Sequence, residues 1–250
     1  MKLLILGATG GTGQALIRQA LEQGHIVTAF ARDPTRVNTT HPNLRVVEGD
    51  VLDYASVETA VQGQDAVLSA LGARLQVGLF VLIIFICQVI ARFAALTGAF
   101  EWFVRLGIPL LTNLILFRPT VILSHGTKNV IAAMEKQGVR RFICESSLGV
   151  NESKRQAGFA LNYIWIPLLL RGIFADKKIQ EKLIQDSRLD WVIVRPARLT
   201  NGPRIGVYRS GFDPGDMSIE GQISRADVAD FMLKQLTSDA FLGKTPGVSY

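Results

Sequence analysis

The first residues that could do chemistry lie in a glycine-rich turn near the start of the chain. Residues 3–6 form a short apolar run typical of a buried parallel strand, and an apolar pattern with helical spacing begins after Gly13. Gly7, Gly10 and Gly13 occupy the turn between them, at a spacing that fits dinucleotide binding. Gly7 permits the tight turn, Gly10 lets the backbone approach a pyrophosphate, and Gly13 lets the helix lie close to the strand. Because a helix N-terminus attracts phosphate, we expect a nucleotide site here, with a purely structural glycine turn as the alternative.

Two arginines bear on which cofactor this site would take. Residues 25–31 are expected to form the second strand, and Arg32 and Arg36 follow it. Folds that bind NAD usually carry a carboxylate at this strand end for the ribose 2′-hydroxyl, whereas guanidinium groups suit a 2′-phosphate. The sequence therefore favours NADP(H). Asp33 is the argument for NAD. The alternative is that both arginines are solvated loop residues that bind no cofactor.

Strand and helix patterns alternate along most of the remaining chain. Further strands are expected at residues 44–48, 66–70, 140–145 and 189–196. We expect Asp53 to cap a short helix through Ala60, Gly138 to end a second helix, Asp176 to open a third, and a last helix near residues 225–237. This alternation predicts an α/β fold with a doubly wound parallel sheet, a Rossmann fold, as one domain over residues 1–250.

An apolar segment interrupts this pattern after the fourth strand. Residues 75–91 hold no charge, and residues 93–117 hold only Glu101 and Arg105. An uncharged run of about 17 residues is at the lower limit for a membrane span. Since the flanking strands belong to one sheet, the chain must return to the side it left, which excludes a single span. We expect residues 75–118 to form an apolar helical insertion that dips into one leaflet, with a lid or a dimer interface as the alternative.

Composition and charge restrict the classes of function. The chain has 250 residues and a net charge of +6, which favours an anionic partner such as a phosphorylated cofactor, an anionic membrane surface or nucleic acid. We find no basic helix with interleaved aromatic residues, so nucleic acid is disfavoured. Cys87 and Cys144 have no metal-ligand spacing, so no metal site and a reducing compartment are expected. Because the first strand begins at residue 2, we expect no cleavable signal peptide and a cytoplasmic protein, with membrane contact on the cytoplasmic face.

Several loops that follow strands are expected to meet at one edge of the sheet. Ligands of doubly wound sheets bind beyond the carboxyl ends of the strands. The glycine turn, Gly72, Ser146, Ser147 and Pro196 each follow an expected strand, and both apolar segments, residues 75–118 and 159–174, leave from the same edge. The sequence therefore predicts an active site that opens toward a membrane or an apolar lid.

A set of motifs gives this chain a family resemblance. The motifs are the glycine turn, Asp50-Val51, and residues 64–67, 126–130, 146–147 and 189–196. Together they resemble the atypical short-chain dehydrogenase/reductases, in particular the NAD(P)H-binding group that includes biliverdin reductase B (flavin reductase) and the NmrA-like proteins. The resemblance covers nearly the whole chain outside residues 75–118 and 157–174.

The resemblance implies a role for each candidate residue. Gly7, Thr9, Gly10, Gly11, Thr12 and Gly13 would hold the pyrophosphate, Arg32 and Arg36 the 2′-phosphate, and Asp50 and Val51 would border the adenine. Leu71 and Gly72 would line the nicotinamide ribose, and Pro196 would belong to the loop that closes over the nicotinamide. Ser147 corresponds to the active-site serine, and Lys177 falls near the lysine or histidine that faces the substrate.

The sequence departs from the family pattern at the proton donor. Typical short-chain dehydrogenases use Tyr-x-x-x-Lys, in which the lysine lowers the pKa of the tyrosine. Ile173 and Phe174 stand four residues before Lys177 and Lys178, which disfavours alcohol or ketone chemistry. We therefore expect an NADPH-dependent oxidoreductase that transfers a hydride to a flat apolar acceptor, a flavin, quinone or tetrapyrrole. The alternative is a non-catalytic NADP(H)-binding sensor or assembly factor at a membrane.

Overall fold

The structure is a computed structural model that describes residues 1–72, 121–148, 171–211 and 221–250. The elements of these ranges are numbered in chain order. They are β1 (Lys2–Leu6), α1 (Gly11–Glu22), β2 (Ile26–Ala31), β3 (Leu44–Glu48), α2 (Tyr54–Val61), β4 (Ala66–Ser69), α3 (Ile122–Gln137), β5 (Arg141–Glu145), α4 (Arg171–Gln185), β6 (Asp190–Pro196), β7 (Arg198–Thr200), β8 (Arg209–Ser210), β9 (Gln222–Ser224), α5 (Arg225–Lys234) and β10 (Gly247–Ser249).

The strands form a mostly parallel sheet whose order reverses beside β1. Within the described residues the order is β3-β2-β1-β4-β5-β6-β10-β8, and β8 is antiparallel to its neighbour. Leu6 at the end of β1 pairs with Phe30 of β2 and with Ser69 of β4. Ligands of such sheets bind at this reversal, beyond the carboxyl ends of the strands. The doubly wound Rossmann fold predicted from the sequence is confirmed.

Alternate residues of β1 bury their side chains in two different layers. Leu3 and Ile5 contact one apolar cluster, which also contains residues of α1 and α5. Leu4 and Leu6 contact a second cluster, with residues of α2, α3 and α4. All four side chains are fully buried, as expected of a strand that is covered by helices on both faces.

Two helix ends follow directly from local sequence. Asp53 is the N-cap of α2, and its carboxylate accepts a hydrogen bond of 3.1 Å from the N–H of Ala55. Gly138 ends α3 in the left-handed conformation, with φ of 71°. Both predictions are confirmed. They could be made from the sequence because each depends on residues adjacent to the cap.

Two expectations about the second half of the chain are wrong. The helix expected to open at Asp176 already includes Arg171, and Asp176 is a buried residue of its second turn. The apolar residues before Asp176 continue the helix, and the carboxylate of Asp176 caps a different one. The last helix, expected from the sequence to close the domain, is followed by β10 (Gly247–Ser249), which adds a strand beside β6.

The apolar insertion expected at residues 75–118 lies outside the described residues, as does most of the patch at 159–174. In the ranges that the structure describes, every helix is too short or too polar to cross a membrane.

Candidate functional site

The glycine turn brings three backbone segments closer together than side chains would allow. Gly7 has φ of +75°, and a Cβ added to it would lie 2.3 Å from the carbonyl oxygen of Ala70. A Cβ on Gly13 would lie 2.2 Å from the carbonyl oxygen of Gly7. The N–H of Gly10 donates to that same oxygen at 2.9 Å. The ends of β1 and β4 and the start of α1 therefore meet at one compact point, which only glycine permits.

The amino end of α1 fits an anionic ligand. Its N-cap is Gly10, which has no side chain to cap the helix, and its first turn contains no acidic residue. Thr9 is half-buried and Gly11 is exposed, so the backbone of the turn is accessible. Thr12 is buried, and its hydroxyl donates to the carboxylate of Glu145 at 3.2 Å. The backbone at this helix N-terminus can therefore bind a diphosphate, which is the ligand that the glycine motif predicts.

The loop after β2 leaves two guanidinium groups accessible. Arg32 and Arg36 are both exposed. Asp33 caps the short helical turn Pro34–Arg36, and its Oδ1 accepts a hydrogen bond from the N–H of Thr35 at 3.2 Å. One carboxylate oxygen of Asp33 therefore makes a hydrogen bond within the loop. Both arginines remain accessible to a phosphate.

Helix α3 holds the loop that follows β3. Val51 is buried against Gly126, where an added Cβ would lie 2.8 Å from a methyl carbon of Val51. The side-chain amide of Asn129 donates to the carbonyl oxygens of Val51 and Leu52 at 2.9 and 3.1 Å. Oδ1 of Asp50 accepts from the N–H of Leu52 at 3.0 Å. These contacts explain why glycine and asparagine occur three residues apart in α3.

The loops after β4, β5 and β6 lie along the same edge of the sheet. Leu71 and Gly72 follow β4, half-buried and exposed respectively. Ser147 follows β5, and its hydroxyl donates to the carbonyl oxygen of Leu148 at 3.0 Å. The N–H of Leu148 donates to the carbonyl oxygen of Pro196 at 3.0 Å, so the loop containing Ser147 lies beside the end of β6.

The charge of Lys177 in α4 acts on two groups at the carboxyl end of β5. Burial raises the pKa of the Cys144 thiol to about 12, while the ammonium group of Lys177 acts in the opposite direction. Burial also raises the pKa of Glu145, and the charge of Lys177 again opposes the rise. The positive charge of Lys177 therefore acts at the end of β5, which Ser147 follows in the chain.

A buried ion pair lies beside the carboxyl end of β5. Glu181 of α4 and Arg195 of β6 form two hydrogen bonds, of 2.7 and 3.1 Å, and their side chains are 0% and 5% exposed. The hydroxyl of Ser146 donates to the same carboxylate at 2.6 Å. Sequence reasoning missed this pair, although an arginine inside the apolar strand Asp190–Pro196 was a signal that a buried partner must exist.

Asp176 links α4 to the start of α3. Its carboxylate accepts hydrogen bonds of 3.0 Å from the N–H groups of Leu123 and Ser124, and the side chain is buried. One turn later, the side-chain amide of Gln180 donates to the hydroxyl of Thr127 at 2.9 Å. The face of α4 that carries Asp176 and Gln180 is therefore fixed against α3. Lys177 follows Asp176 in α4, so its position depends on these contacts.

Comparisons with known proteins agree with this geometry. Residues 7–239 match a family model described as NAD(P)H-binding. An uncharacterised chloroplastic protein of Arabidopsis thaliana is 30% identical over 95% of this chain and 72% of its own length. The photosystem II assembly factor Ycf39 of Synechocystis is 23% identical over 98% of this chain and 61% of its own. The solved structure of ChuY, an anaerobillin reductase of Escherichia coli, has a TM-score of 0.69 at 19% identity, and the match covers 100% of this chain and 97% of that one.

Proposed function

This chain belongs to the NAD(P)H-binding family, and on that premise we propose that it is an NADPH-dependent oxidoreductase. The proposed reaction is hydride transfer to a flat apolar acceptor, such as a flavin, a quinone or a tetrapyrrole. The proposed cofactor-binding residues are those of the glycine turn, Arg32 and Arg36, the loop Asp50-Val51, Leu71, Gly72 and Pro196.

The observation that carries the proposal is the arrangement of two unlike groups along one edge of the sheet. The glycine turn follows β1, and Ser147 follows β5, while β4 pairs with both strands. Two strand spacings amount to about 10 Å, a distance that a dinucleotide can span. The charge of Lys177 acts at the Ser147 end, so a phosphate-binding end and a reactive end are both available.

The preference for NADPH rests on the loop after β2. Arg32 and Arg36 are exposed, and Asp33 is engaged with the N–H of Thr35. A carboxylate that accepts from its own loop competes poorly for a ribose hydroxyl, whereas two guanidinium groups can hold a 2′-phosphate.

Ser147 and Lys177 are the proposed catalytic residues. The bound nicotinamide would supply the hydride. The hydroxyl of Ser147, now directed to the carbonyl oxygen of Leu148, would donate a hydrogen bond to the acceptor or to the nicotinamide amide. The ammonium group of Lys177 would offset the negative charge that develops on the acceptor.

The residues before Lys177 support the proposed class of acceptor. Ile173 and Phe174, four residues before Lys177 and Lys178, are apolar and cannot donate a proton. A tyrosine that could donate a proton in their place, Tyr163, lies outside the described residues. An acceptor that delocalises the incoming charge can take its proton from solvent, which favours conjugated rings over simple ketones.

Turnover tests the proposal directly. The protein is incubated with NADPH and, in turn, a flavin, a quinone and a linear tetrapyrrole, and the loss of NADPH absorbance is followed. We expect turnover with at least one acceptor. Lys177→Met should lower kcat about 100-fold with little change in NADPH affinity, since the lost charge acts at the reacting end. Lys178→Met is the matched control, because Lys178 is exposed on the same helix.

A second candidate function is a non-catalytic NADP(H)-binding sensor or assembly factor. Two observations favour it: the apolar residues Ile173 and Phe174 where a proton donor is typical, and the similarity to the assembly factor Ycf39. Binding of NADPH without turnover of any acceptor would select this function and reject the first.

Membrane contact is a separate part of the proposal, and it rests on the apolar residues 75–118. Cells are lysed without detergent, and the protein is followed through fractionation. Retention in the membrane fraction until detergent is added supports the contact. Recovery in the supernatant contradicts it, and leaves the proposed lid or dimer interface as the function of this segment.

A further inference from the structure

Arg225 lies across the glycine turn, although no motif singles it out. It is the first residue of α5, a helix that packs against α1. A Cβ added to Gly11 would lie 2.5 Å from Cδ and 3.0 Å from Nε of Arg225. Gly11 is not one of the three glycines that bring the backbone segments together. A side chain at this position would therefore have to displace the side chain of Arg225.

The charge of Arg225 reaches the amino end of α1. Burial raises the pKa of Glu145, and the positive charges of Lys177 and Arg225 oppose that rise. Glu145 accepts a hydrogen bond from Thr12 in the first turn of α1. The side-chain carbons of Arg225 therefore lie next to Gly11, and its positive charge acts on the Thr12–Glu145 pair.

Within the described residues, Arg225 makes its side-chain hydrogen bond to a neutral group. Its Nη1 donates to the side-chain oxygen of Asn201 at 2.6 Å, and an amide carries no net charge. The arginine is only half-buried, so its guanidinium group keeps access to the surface of the turn. A cation held beside a helix N-terminus by a neutral partner is well suited to an anion.

A purely structural role for Arg225 is the competing explanation, and the neighbouring contacts weaken it. Arg225 could serve only to tie the loop containing Asn201 to α5. Asp227 already does this, because its carboxylate accepts from the N–H groups of Ile205 and Gly206 at 2.9 and 2.7 Å. The loop therefore has an anchor on α5 without Arg225.

We propose that Arg225 binds the diphosphate of the nucleotide and that Asn201 positions it. The inference rests on the nucleotide site of the proposed function and adds a residue from α5 to it. Arg225 would then act on the diphosphate shared by NAD and NADP, whereas Arg32 and Arg36 would act on the 2′-phosphate that only NADP carries.

The test compares ligands that carry different phosphates. Dissociation constants of wild type and Arg225→Gln are measured for NADP⁺, NAD⁺, ADP-ribose and adenosine 2′-phosphate. We expect Arg225→Gln to weaken the three diphosphate ligands by about 10- to 100-fold and to leave adenosine 2′-phosphate unchanged. Arg225→Lys should recover part of the loss, and Asn201→Ala should lose less than Arg225→Gln.

Arg32→Gln is the matched control, with the opposite pattern. It should weaken NADP⁺ and adenosine 2′-phosphate and leave NAD⁺ and ADP-ribose unchanged. The melting temperature of ligand-free Arg225→Gln should remain near that of wild type, which separates lost binding from lost folding.

The outcomes distinguish this inference from the proposed function. Unchanged affinity for NADP⁺ in Arg225→Gln, or an equal loss for adenosine 2′-phosphate, overturns the role of Arg225. Nucleotide binding by the wild type without turnover of any acceptor overturns the reductase alone. If the wild type binds none of the four ligands, both proposals are wrong.

Discussion

The two ends of the candidate site are built in different ways. At the glycine turn, the backbone itself forms the site, and the segments that meet there are held by the absence of side chains at Gly7 and Gly13. At the end of β5, buried charged side chains form the support, with Glu181 and Arg195 in contact across a separation of 14 residues. The first end is marked by a local glycine spacing, although Gly7 also meets Ala70 at the end of β4, and the second depends on side-chain partners brought together by the fold.

This difference determines how each end should fail. Crowded backbone tolerates no added atom, but it carries no buried charge, so a substitution there should damage ligand binding more than folding. A buried ion pair is costly to desolvate and is stable only while both partners are present. Removal of one partner should therefore damage folding first. The predictions below test that contrast, from the largest effect to the smallest.

Loss of one partner from the buried ion pair should give the largest effect. Arg195→Leu leaves the carboxylate of Glu181 buried without its bidentate partner, and we expect unfolding free energy to fall by about 3–5 kcal/mol. Denaturant unfolding monitored by circular dichroism measures it. Arg140→Leu is the matched control, because Arg140 pairs with Asp190 at the surface, with 66% and 37% exposure, and should cost less than about 1 kcal/mol.

The double variant Glu181→Leu, Arg195→Leu sharpens that result. Because both charges are removed, it should recover a substantial part of the stability lost in Arg195→Leu. Additive losses in the two single variants and the double variant would contradict the account of the pair as a coupled unit.

Removal of the cap between α4 and α3 should give the next effect. Asp176→Ala leaves the N–H groups of Leu123 and Ser124 without their acceptors, and we expect a loss of about 2 kcal/mol. Asp176→Asn keeps one acceptor oxygen and should lose less. Asp186→Ala, at an exposed position after the same helix, is the control. An equal loss in Asp186→Ala would show that the cap is not the cause.

A methyl group in the glycine turn should affect binding more than folding. In Gly13→Ala the added carbon would lie 2.2 Å from the carbonyl oxygen of Gly7, so the start of α1 must shift away from β1. We expect about 1–3 kcal/mol of lost stability and loss of measurable NADPH binding by titration. Gly202→Ala is the control, since its nearest neighbouring atom lies at 3.6 Å, an ordinary contact. Normal NADPH affinity in Gly13→Ala would argue against the glycine turn as the binding site.

The pH dependence of Glu145 gives the smallest predicted effect. Burial raises its pKa above the ordinary value of 4.5, so the folded protein holds this proton more tightly than the unfolded chain does. Its contribution to stability is therefore complete below pH 4.5 and is lost as pH rises through the raised pKa. Glu145→Gln cannot ionise and keeps an acceptor for Thr12. The variant should gain stability relative to wild type as pH rises, and the opposite trend in unfolding free energy would contradict this assignment.

The same contrast explains which features could be predicted from the sequence. The strand at residues 44–48, the cap at Asp53 and the helix end at Gly138 depend on neighbours within a few residues, so local pattern identified them. The spacing of the glycines likewise indicated close backbone approach. Each of these signals is short-range, and each prediction is confirmed.

The support at the end of β5 could not be predicted, because its parts are far apart in the chain. Asp176 caps a helix that begins more than 50 residues earlier, a role that no local pattern encodes. Arg225 meets Gly11 only because α5 packs against α1. The three-residue strand β10 is too short to give a strand signal of its own. In each case the partner becomes visible only when the layers of the fold are assembled.

The cap that Asp176 provides has a consequence for protein engineering. The N-cap residue of α3, Val121, makes no side-chain hydrogen bond to the helix, and the first amides are satisfied from α4 instead. The start of α3 is thereby stabilised by a residue that lies more than 50 positions later in the chain. A chimera in which residues 75–118 are exchanged for a short polar linker should therefore begin this helix at the same residue.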